Sequence, residues 1–484
     1  MAKITTIIDI GSNSMRMVVF KKSSRFAFHL INETKSRVKI SQGSYFNDGY
    51  LQDLPLKRAY DCLESFVSIS KSFKSRKIIC VATSALRDAP NSKKFLNRVK
   101  KELHLNIKII DGEKEAYFGG IAALNLLCNQ DFMTVDIGGG STEFCFIKNG
   151  KIHKTISLNI GTIRLKELYF NNKDIHSAKK FVLNNLTKIS KDITIPKTIV
   201  GIGGTIRALS KLLIKNSNYP LNLIHGFEYN VAQMESVFNH ISDSEDNTQL
   251  RKIGIKKDRC DTIREGSFIF EMIINTFNIK KVITSSVGLR EGVYLSDILR
   301  TSKHKFPLNF HPSLKNLMDR FEVDNKQSAY LGLNASMLFD ILKPLHKIDD
   351  KYKTLLVVSS KLHGVSVLLG LDDIFYFILN NLKYNFSHSS RVLVSFLIKF
   401  SKKSLPKSKD MELFSSLLPS FETVQWLSFM MTLNLGLNAD FSKRKYKYLL
   451  RDKSLLISAS DISYIVKNSI YKIETPKKIN IDIR

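Results

Sequence analysis

The sequence predicts an α/β protein of two related halves, closed by a mainly helical third region. Three observations predict it. First, an apolar strand running into Asp-Ile-Gly occurs twice, in residues 4–20 (ITTIIDIGSNSMRMVVF) and 131–144 (DFMTVDIGGGSTEF). Such a duplication governs every later assignment. Second, short apolar runs alternate with helically spaced stretches as far as Leu299, the pattern of an open α/β sheet. Third, residues 299–316 hold two prolines and little periodicity, and the spacing beyond them is helical to about Leu450.

The two loops carry the chemistry. In the second copy a strand through Met133-Thr134-Val135 stops at Asp136; Ile137, three glycines, Ser141 and Thr142 follow, and Glu143 opens an outgoing strand. Glycine lets backbone N–H groups come close to a ligand, and a run of them with flanking hydroxyls forms a concave anion site. Asp136 and Glu143 bracket that site. They would repel a phosphate unless a cation lay between, and Mg²⁺ (or Mn²⁺) suits one or two carboxylates plus phosphate oxygens. In the first copy Asp9 and Gly11 are followed by Ser12, Asn13 and Ser14, then a strand Met15 to Phe20. Both copies continue as hairpins, turned by residues 21–24 and by Asn149-Gly150. A solvated glycine-rich hairpin is the plain alternative for one loop; the repeat argues for two loops facing one phosphate-bearing ligand.

The remaining elements follow in order. Phe26 to Ile31 is extended, and Lys35 and Arg37 are either anion ligands or, as preferred, a solvated edge. Pro55 to Lys71 has helical spacing, and Lys77 to Ala82 is a buried strand whose end carries Arg87, a candidate phosphate clamp. Asn91 to Leu103 is helical and Ile107 to Ile110 a strand. Asp111 opens a helix to about Cys128, with Glu113 and Glu115 in its first turn. Acids there also complement the helix dipole, but this helix leads into the Asp136 strand, so its start should lie near the cleft. An extended segment (Ile152 to Leu158), Gly161-Thr162-Ile163-Arg164 and a helix from about Ser177 to Asp192 come next. Strand Thr198 to Ile202 turns through Gly203-Gly204-Thr205 into helix Ile206 to Leu213, a further anion site. A connector (Asp243 to Asp258), helix Arg264 to Phe277, strand Lys281 to Thr284 and a helix to Leu299 complete the second half. Arg290 could bind phosphate at the start of that last helix or pair with Glu291 or Glu265, and a structural pair is preferred. In the third region Pro344, Pro406 and Pro419 should break helices, and Leu455 to Ser458 and Ile479 to Ile483 should be short strands.

Bulk properties bound the function. The 484 residues suggest roughly three domains. No apolar run reaches the ~18 residues that would span a bilayer, and the start of the chain enters a strand at once, so no membrane association and no signal peptide are expected. Five cysteines without a CxxC pair suggest reduced, buried thiols and a cytoplasmic location. Seventy-four Lys and Arg against 44 Asp and Glu give a net charge of +30, a field that attracts polyanions; lysines dispersed by composition alone would give the same total.

The loops resemble those of the exopolyphosphatase/guanosine-pentaphosphate phosphohydrolase (Ppx/GppA) family, within the actin–hexokinase–chaperone ATPase superfamily. The resemblance rests on DIGSNS (9–14), ATSALRDA (82–89), DGEKEA (111–116), DIGGGSTE (136–143), GIGGTIRA (201–208) and SVGLREG (286–292). It implies two ribonuclease-H-like domains (1–126 and 127–305) around a cleft, then a mainly helical domain (306–484). By the same resemblance Glu115 matches the general base, and Asp136 and Glu143 match the acids near a divalent metal. Asn13, Ser14, Gly139, Gly140, Ser141, Gly204 and Thr205 match phosphate loops, and Arg87 a phosphate-binding arginine. It implies hydrolysis of terminal phosphoanhydrides, of inorganic polyphosphate or guanosine pentaphosphate. It departs at the C-terminal domain, where family members often carry a metal-binding His-Asp doublet. No histidine here precedes Asp, and His363 precedes Gly364. A helical, degenerate HD-like domain with no second metal is therefore expected, serving structure, polyanion binding or a homodimer contact. Exopolyphosphatase is the leading expectation and guanosine-pentaphosphate hydrolase the alternative. From other classes come a non-catalytic polyanion- or nucleic-acid-binding protein, which the motifs disfavour, and an ATP-dependent kinase.

Overall fold

The computed structural model describes residues 3–189, 193–370, 373–471, 473–477 and 479–484. The chain divides into two compact units, Met1–Phe310 and His311–Arg484.

The first unit holds two sheets. In chain order, β1 (Ile4–Ile10), β2 (Met15–Lys22) and β3 (Phe28–Ser36) precede α1 (Asp53–Ser72). Then come β4 (Lys77–Ala82), α2 (Ser84–Arg87), α3 (Ser92–Leu103), β5 (Ile107–Ile109) and α4 (Gly112–Leu126). The first sheet runs β3-β2-β1-β4-β5. The second half repeats the plan with β6 (Phe132–Ile137), β7 (Thr142–Lys148), β8 (Lys151–Leu158), α5 (Thr162–Leu168), α6 (Ile175–Leu186), β9 (Thr198–Ile202) and α7 (Gly203–Asn216). An inserted stretch follows: β10 (Phe227–Asn230), α8 (Glu235–Ser242), α9 (Asn247–Lys252) and α10 (Ile263–Phe277). Finally β11 (Lys281–Thr284) and α11 (Leu289–Ile298) close the unit. The second sheet runs β8-β7-β6-β9-β11-β10. In both sheets an antiparallel hairpin pair leads to a third strand, and the first strand pairs in parallel with the strand after a helix.

Alternation along the strands explains the layers. Met133, Val135, Phe144 and Phe146 face one core with Leu209 and Phe270. Phe132, Cys145 and Ile147 face the other side, under Ala116 and Ala123 of α4. In the first sheet Ile8, Ile10, Met15 and Met17 pack on Leu63, Phe66, Phe95 and Val99. On its opposite face Phe20 stacks on Tyr294 of α11, centroids 4.4 Å apart. The two halves thus exchange cover: α4 follows the first sheet but packs on β7 and β8, while α11 follows the second sheet, reaches β1, and packs on α4.

Most predicted elements are present within one or two residues. Helix α6 begins earlier than expected and ends at Leu186; the expected end at 190–192 lies outside the described residues. The connector at 243–258 contains α9, and α5, α8 and β10 were not foreseen. Lys35 and Arg37 are not a solvated edge: Lys35 pairs with Asp258 at 2.7 Å and Arg37 with Asp261 at 2.6 Å, tying β3 to the second half. The cysteines are free, but Cys62 is half-buried and Cys128 exposed, so burial was overestimated for these two.

The second unit carries α12 (Pro312–Arg320), α13 (Asn325–His346), α14 (Lys351–Leu369), α15 (Ile374–Asn381), α16 (His388–Lys399), α17 (Ser408–Met411) and α18 (Phe421–Gly436). It ends with β12 (Lys447–Arg451), β13 (Ser454–Ser458), α19 (Tyr464–Ile470) and β14 (Asn480–Ile483), the three strands forming a sheet. Trp426, Phe339 and Phe396 fill its core, where Asn334 donates to Asn434 at 2.8 Å. Pro344 does not break α13. It sits in the last turn, so only the carbonyl of Asp340 loses an amide partner. Among the described residues no helix is long and apolar enough to cross a membrane.

Candidate active site

The two Asp-Ile-Gly turns are the same backbone device. Each closes on itself, Gly11 N–H donating to Ser14 O at 3.3 Å and Gly138 N–H to Ser141 O at 2.9 Å. They meet across a cleft. A Cβ on Gly139 would come within 2.8 Å of the Ser12 Cβ, and Ser12 and Ser84 hydroxyls lie 3.0 Å apart in the buried seam. A third turn completes the cradle. Gly203 has φ +84°, a left-handed conformation that suits glycine, and any Cβ there would strike the Asp136 carboxylate. This turn swings β9 into α7 beside Asp136.

These turns enclose about 150 Å³ of free space. Of the sequence-predicted residues, Asn13, Ser14, Glu115, Asp136, Gly139, Ser141, Gly204 and Thr205 all line it. Three others stand behind the wall. Gly140 abuts Ser84 and Tyr45. Glu143 is 2% exposed and accepts a hydrogen bond from Ser157 at 2.9 Å. Arg87 pairs with Asp88 at 3.1 Å and lies 3.8 Å from Glu115.

One side of the site is acidic. Asp136 and Glu143 are directly paired across β6 and β7. Burial raises the Asp136 carboxyl above its usual range, against the pull of Arg207, Arg16 and Arg290. Burial also pushes Glu143 up to about 8; Asp136 adds to this, and hydrogen bonds from Ser141 and Ser157 oppose it. Glu115 is raised well above the carboxylate range by burial first, then by Glu143, Asp136 and Asp9. Its Oε2 is a buried oxygen with no hydrogen-bond partner. Asp9, half-buried, is pushed up to about 6 by burial despite Arg290 and Arg16.

The other side is cationic, and sequence reasoning largely missed it. Arg16, Arg207, Arg259 and Arg290 all reach the cleft. Burial, with Arg16 and Arg290 close by, lowers Arg207 to about 10. Arg207 Nε donates to the Gly203 carbonyl at 2.7 Å, one helical turn back. Arg259 crosses over the third turn so closely that a Cβ on Gly204 would collide with its guanidinium. Arg290 does not pair with Glu265. It binds Glu33 at 2.7 Å; Glu291 instead accepts from Gly288 N–H at 2.9 Å, capping α11. Glu265 lies in α10, its carboxyl pushed up to about 7 by burial. Arg290 itself is raised: burial works against its charge, but Glu291, Glu33 and Asp9 outweigh it. The available signals were positional: Arg16 holds the offset from Asp9 that Glu143 holds from Asp136, and Arg207 is one turn past the Gly-Gly pair. Arg259 sits in a connector with no local mark.

The donor set fits a hard divalent cation completed by substrate. Asp9, Glu115 and Asp136 line the cleft with Glu143 behind Asp136, burial raises all four carboxyls, and a buried Glu115 oxygen lacks a hydrogen bond. Among the described residues no three acids, histidines or cysteines form a metal cage on their own. Mg²⁺ needs no such cage, since it commonly keeps waters and takes phosphate oxygens alongside one or two carboxylates.

Comparison with known proteins agrees with this architecture. The chain is 28% identical over 308 residues to the bifunctional 3-dehydroquinate synthase/phosphatase of Fusobacterium nucleatum, covering 60% of this chain and 46% of that protein. It therefore spans under half the length of that relative. It is 25% identical over 420 residues to the guanosine-5'-triphosphate,3'-diphosphate pyrophosphatase of Pseudoalteromonas translucida, covering 84% of this chain and 82% of the other. A crystal structure of the Aquifex aeolicus Ppx/GppA family member superposes with a TM-score of 0.54 at 29% identity, over 62% of this chain and 99% of that one. The first unit has the actin-like fold of these structures, followed by a helical C-terminal region. Residues 18–301 match the profile of the Ppx/GppA phosphatase family, and the chain belongs to that family.

Proposed function

We propose that this protein is an exopolyphosphatase, which hydrolyses the terminal phosphoanhydride of inorganic polyphosphate and releases orthophosphate. The observation that carries the proposal is the cleft itself: twin glycine turns, an acidic wall with Glu115 and a wall of four arginines around one small space. Phosphoryl transfer asks for positioning and charge neutralisation more than covalent chemistry. N–H groups of the turns and the arginines would hold the terminal phosphate. Asp136, with Glu143 behind it, would hold Mg²⁺, which would neutralise phosphate oxygens and orient water. Glu115, which lines the same cleft, would accept the proton of the attacking water. The water oxygen bonds to the terminal phosphorus, the bridging P–O bond breaks, and its electron pair leaves with the shortened chain.

The neighbouring cavity of about 710 Å³ supports a long polyanion. It shares Arg16, Arg207 and Arg259 with the cleft and adds Lys211, Lys215 and Lys256, so that cations outnumber the acid Asp258 in its lining. The same cavity favours a second reading. Ile214, Tyr219 and Leu221 give it an apolar wall that a guanine base could pack on. The Pseudoalteromonas translucida relative is named for a guanosine nucleotide. Hydrolysis of guanosine pentaphosphate is therefore the alternative. Phosphate release from long-chain polyphosphate and from guanosine pentaphosphate, each with and without Mg²⁺, decides between them. Release from the nucleotide alone would overturn the first reading, and release from neither would overturn both.

A further inference from the structure

Segment 161–164 lay in the sequence without an assigned role, and it grips the second phosphate turn. Thr162 N–H donates to Gly138 O at 3.0 Å, and Ile163 and Arg164 N–H to Gly139 O at 2.8 and 3.2 Å. The Arg164 side chain takes the next carbonyl, Nε donating to Gly140 O at 3.0 Å. Every glycine carbonyl of the turn is thereby held on one side. In a planar trans peptide the carbonyl of one residue and the N–H of the next point in opposite directions. The N–H groups of Gly139, Gly140 and Ser141 must then point away from this segment, and among the described residues none of the three has a backbone or side-chain acceptor. Gly139 and Ser141 line the cleft.

The first turn is held in the same way. Lys39 N–H donates to Asn13 O at 3.0 Å, and Ser41 N–H and hydroxyl to Ser12 O at 3.3 and 3.2 Å. What sets Arg164 apart is that its own partners come from the other half. Its guanidinium lies 4.6 Å from the Tyr45 ring centre and 3.5 Å from the Asp88 carboxylate. Asp88 in turn holds Arg87, which approaches Glu115. The Gly140 carbonyl is therefore fully pinned only when both halves contribute.

We propose that Arg164 is a positioning residue, which Tyr45 and Asp88 of the first half hold against the Gly140 carbonyl so that the Ser141 N–H is aimed at the phosphate being transferred. The proposal rests on the phosphohydrolase reading above. A preorganised donor matters most where charge develops, so its misplacement should lower kcat more than it raises KM.

The test is Arg164→Ala, assayed for phosphate release in the full chain. The expected result is a kcat lower by about tenfold to a hundredfold, with KM for polyphosphate changed less than about threefold and thermal unfolding close to wild type. Millimolar guanidinium should restore much of the lost rate, and Arg164→Lys, which can reach only one partner, should lie between Ala and wild type. Wild-type kcat, or a loss that neither guanidinium nor lysine recovers, would overturn the proposal. Should the alanine variant fail to fold, Asp88→Asn takes its place: a kcat loss at constant KM supports the clamp, and unchanged kcat overturns it. If the wild-type protein releases no phosphate from either substrate, the hydrolase reading fails. Binding of orthovanadate, a mimic of the phosphoryl group in transfer, by calorimetry then tests the clamp alone: weaker binding by Arg164→Ala supports it, and equal binding sinks it.

Discussion

In the first half Asp9 faces Arg16 across β1 and β2; in the second half Asp136 faces Glu143 across β6 and β7. The backbones around these pairs repeat each other, including the Gly-to-Ser hydrogen bond that closes each turn. Only the facing side chain changes sign. Arg16 keeps company with Arg207 and Arg290, while Glu143 stands with Asp136 beside Glu115. The same architecture therefore gives two different walls. One presents guanidinium groups to the cleft; the other presents carboxylates. A duplicated fold supplies twin cradles, and one position at equal offset divides their labour.

Glu115→Gln should produce the largest effect. Glutamine keeps the shape but cannot accept the water proton, so phosphate release should fall by about a thousandfold, while polyphosphate binding stays within a factor of about three by the same reasoning. Full residual activity would move the base away from the acidic wall. Next in size, Glu143→Arg would make the second pair an acid facing a cation, as in the first half. It should abolish stimulation by Mg²⁺ and cost about a hundredfold in rate if the metal carries charge stabilisation worth several kcal/mol. A Mg²⁺ titration with an unchanged midpoint would show that the acidic wall is not the metal's seat.

How far the sequence carried depends on the range of the signal. The Asp-Ile-Gly repeats, Gly203-Gly204-Thr205 and the helix opening at Asp111 are local patterns, and the strands and helices around them were legible to within a few residues. Eight of the eleven residues anticipated for the site line one cleft. What was not legible comes from residues far apart in the chain. The Glu33–Arg290 pair and the Lys35–Asp258 and Arg37–Asp261 ties join segments more than 200 positions distant, and no periodicity announces them. Arg87 illustrates the complementary limit. The end of β4 predicted a phosphate clamp, but its neighbour Asp88 accepts from its guanidinium, a competition that residue type alone does not reveal.

Arg16→Ala and Arg207→Ala test the cationic wall. Each removes one charge from the lining that the cleft and the larger cavity share. KM for polyphosphate should rise by about threefold to tenfold with kcat nearly constant, and the dependence of KM on salt should flatten, because fewer counterions are exchanged per bound chain. A fall in kcat with unchanged KM would assign these arginines to the transition state instead, and would blur the distinction between the walls.

The smallest effect concerns stability. Glu143 is a buried acid whose folded pKa, about 8, stands above the ordinary 4.5. The unfolded chain gives up that proton near pH 4.5 and the folded chain keeps it to about pH 8, so this group makes stability decline across that interval. Asp9, raised from 3.8 to about 6, acts with the same sign over a lower and narrower interval, because Arg290 and Arg16 offset part of its burial. In metal-free buffer, Glu143→Gln should leave the unfolding temperature unchanged at pH 4.5 and raise it by about 2–5 °C at pH 8. Asp9→Asn should flatten the curve only below about pH 6. Two variants that flattened the same interval would mean that the opposing arginine does nothing for Asp9, and the contrast between the paired turns would be one of shape alone.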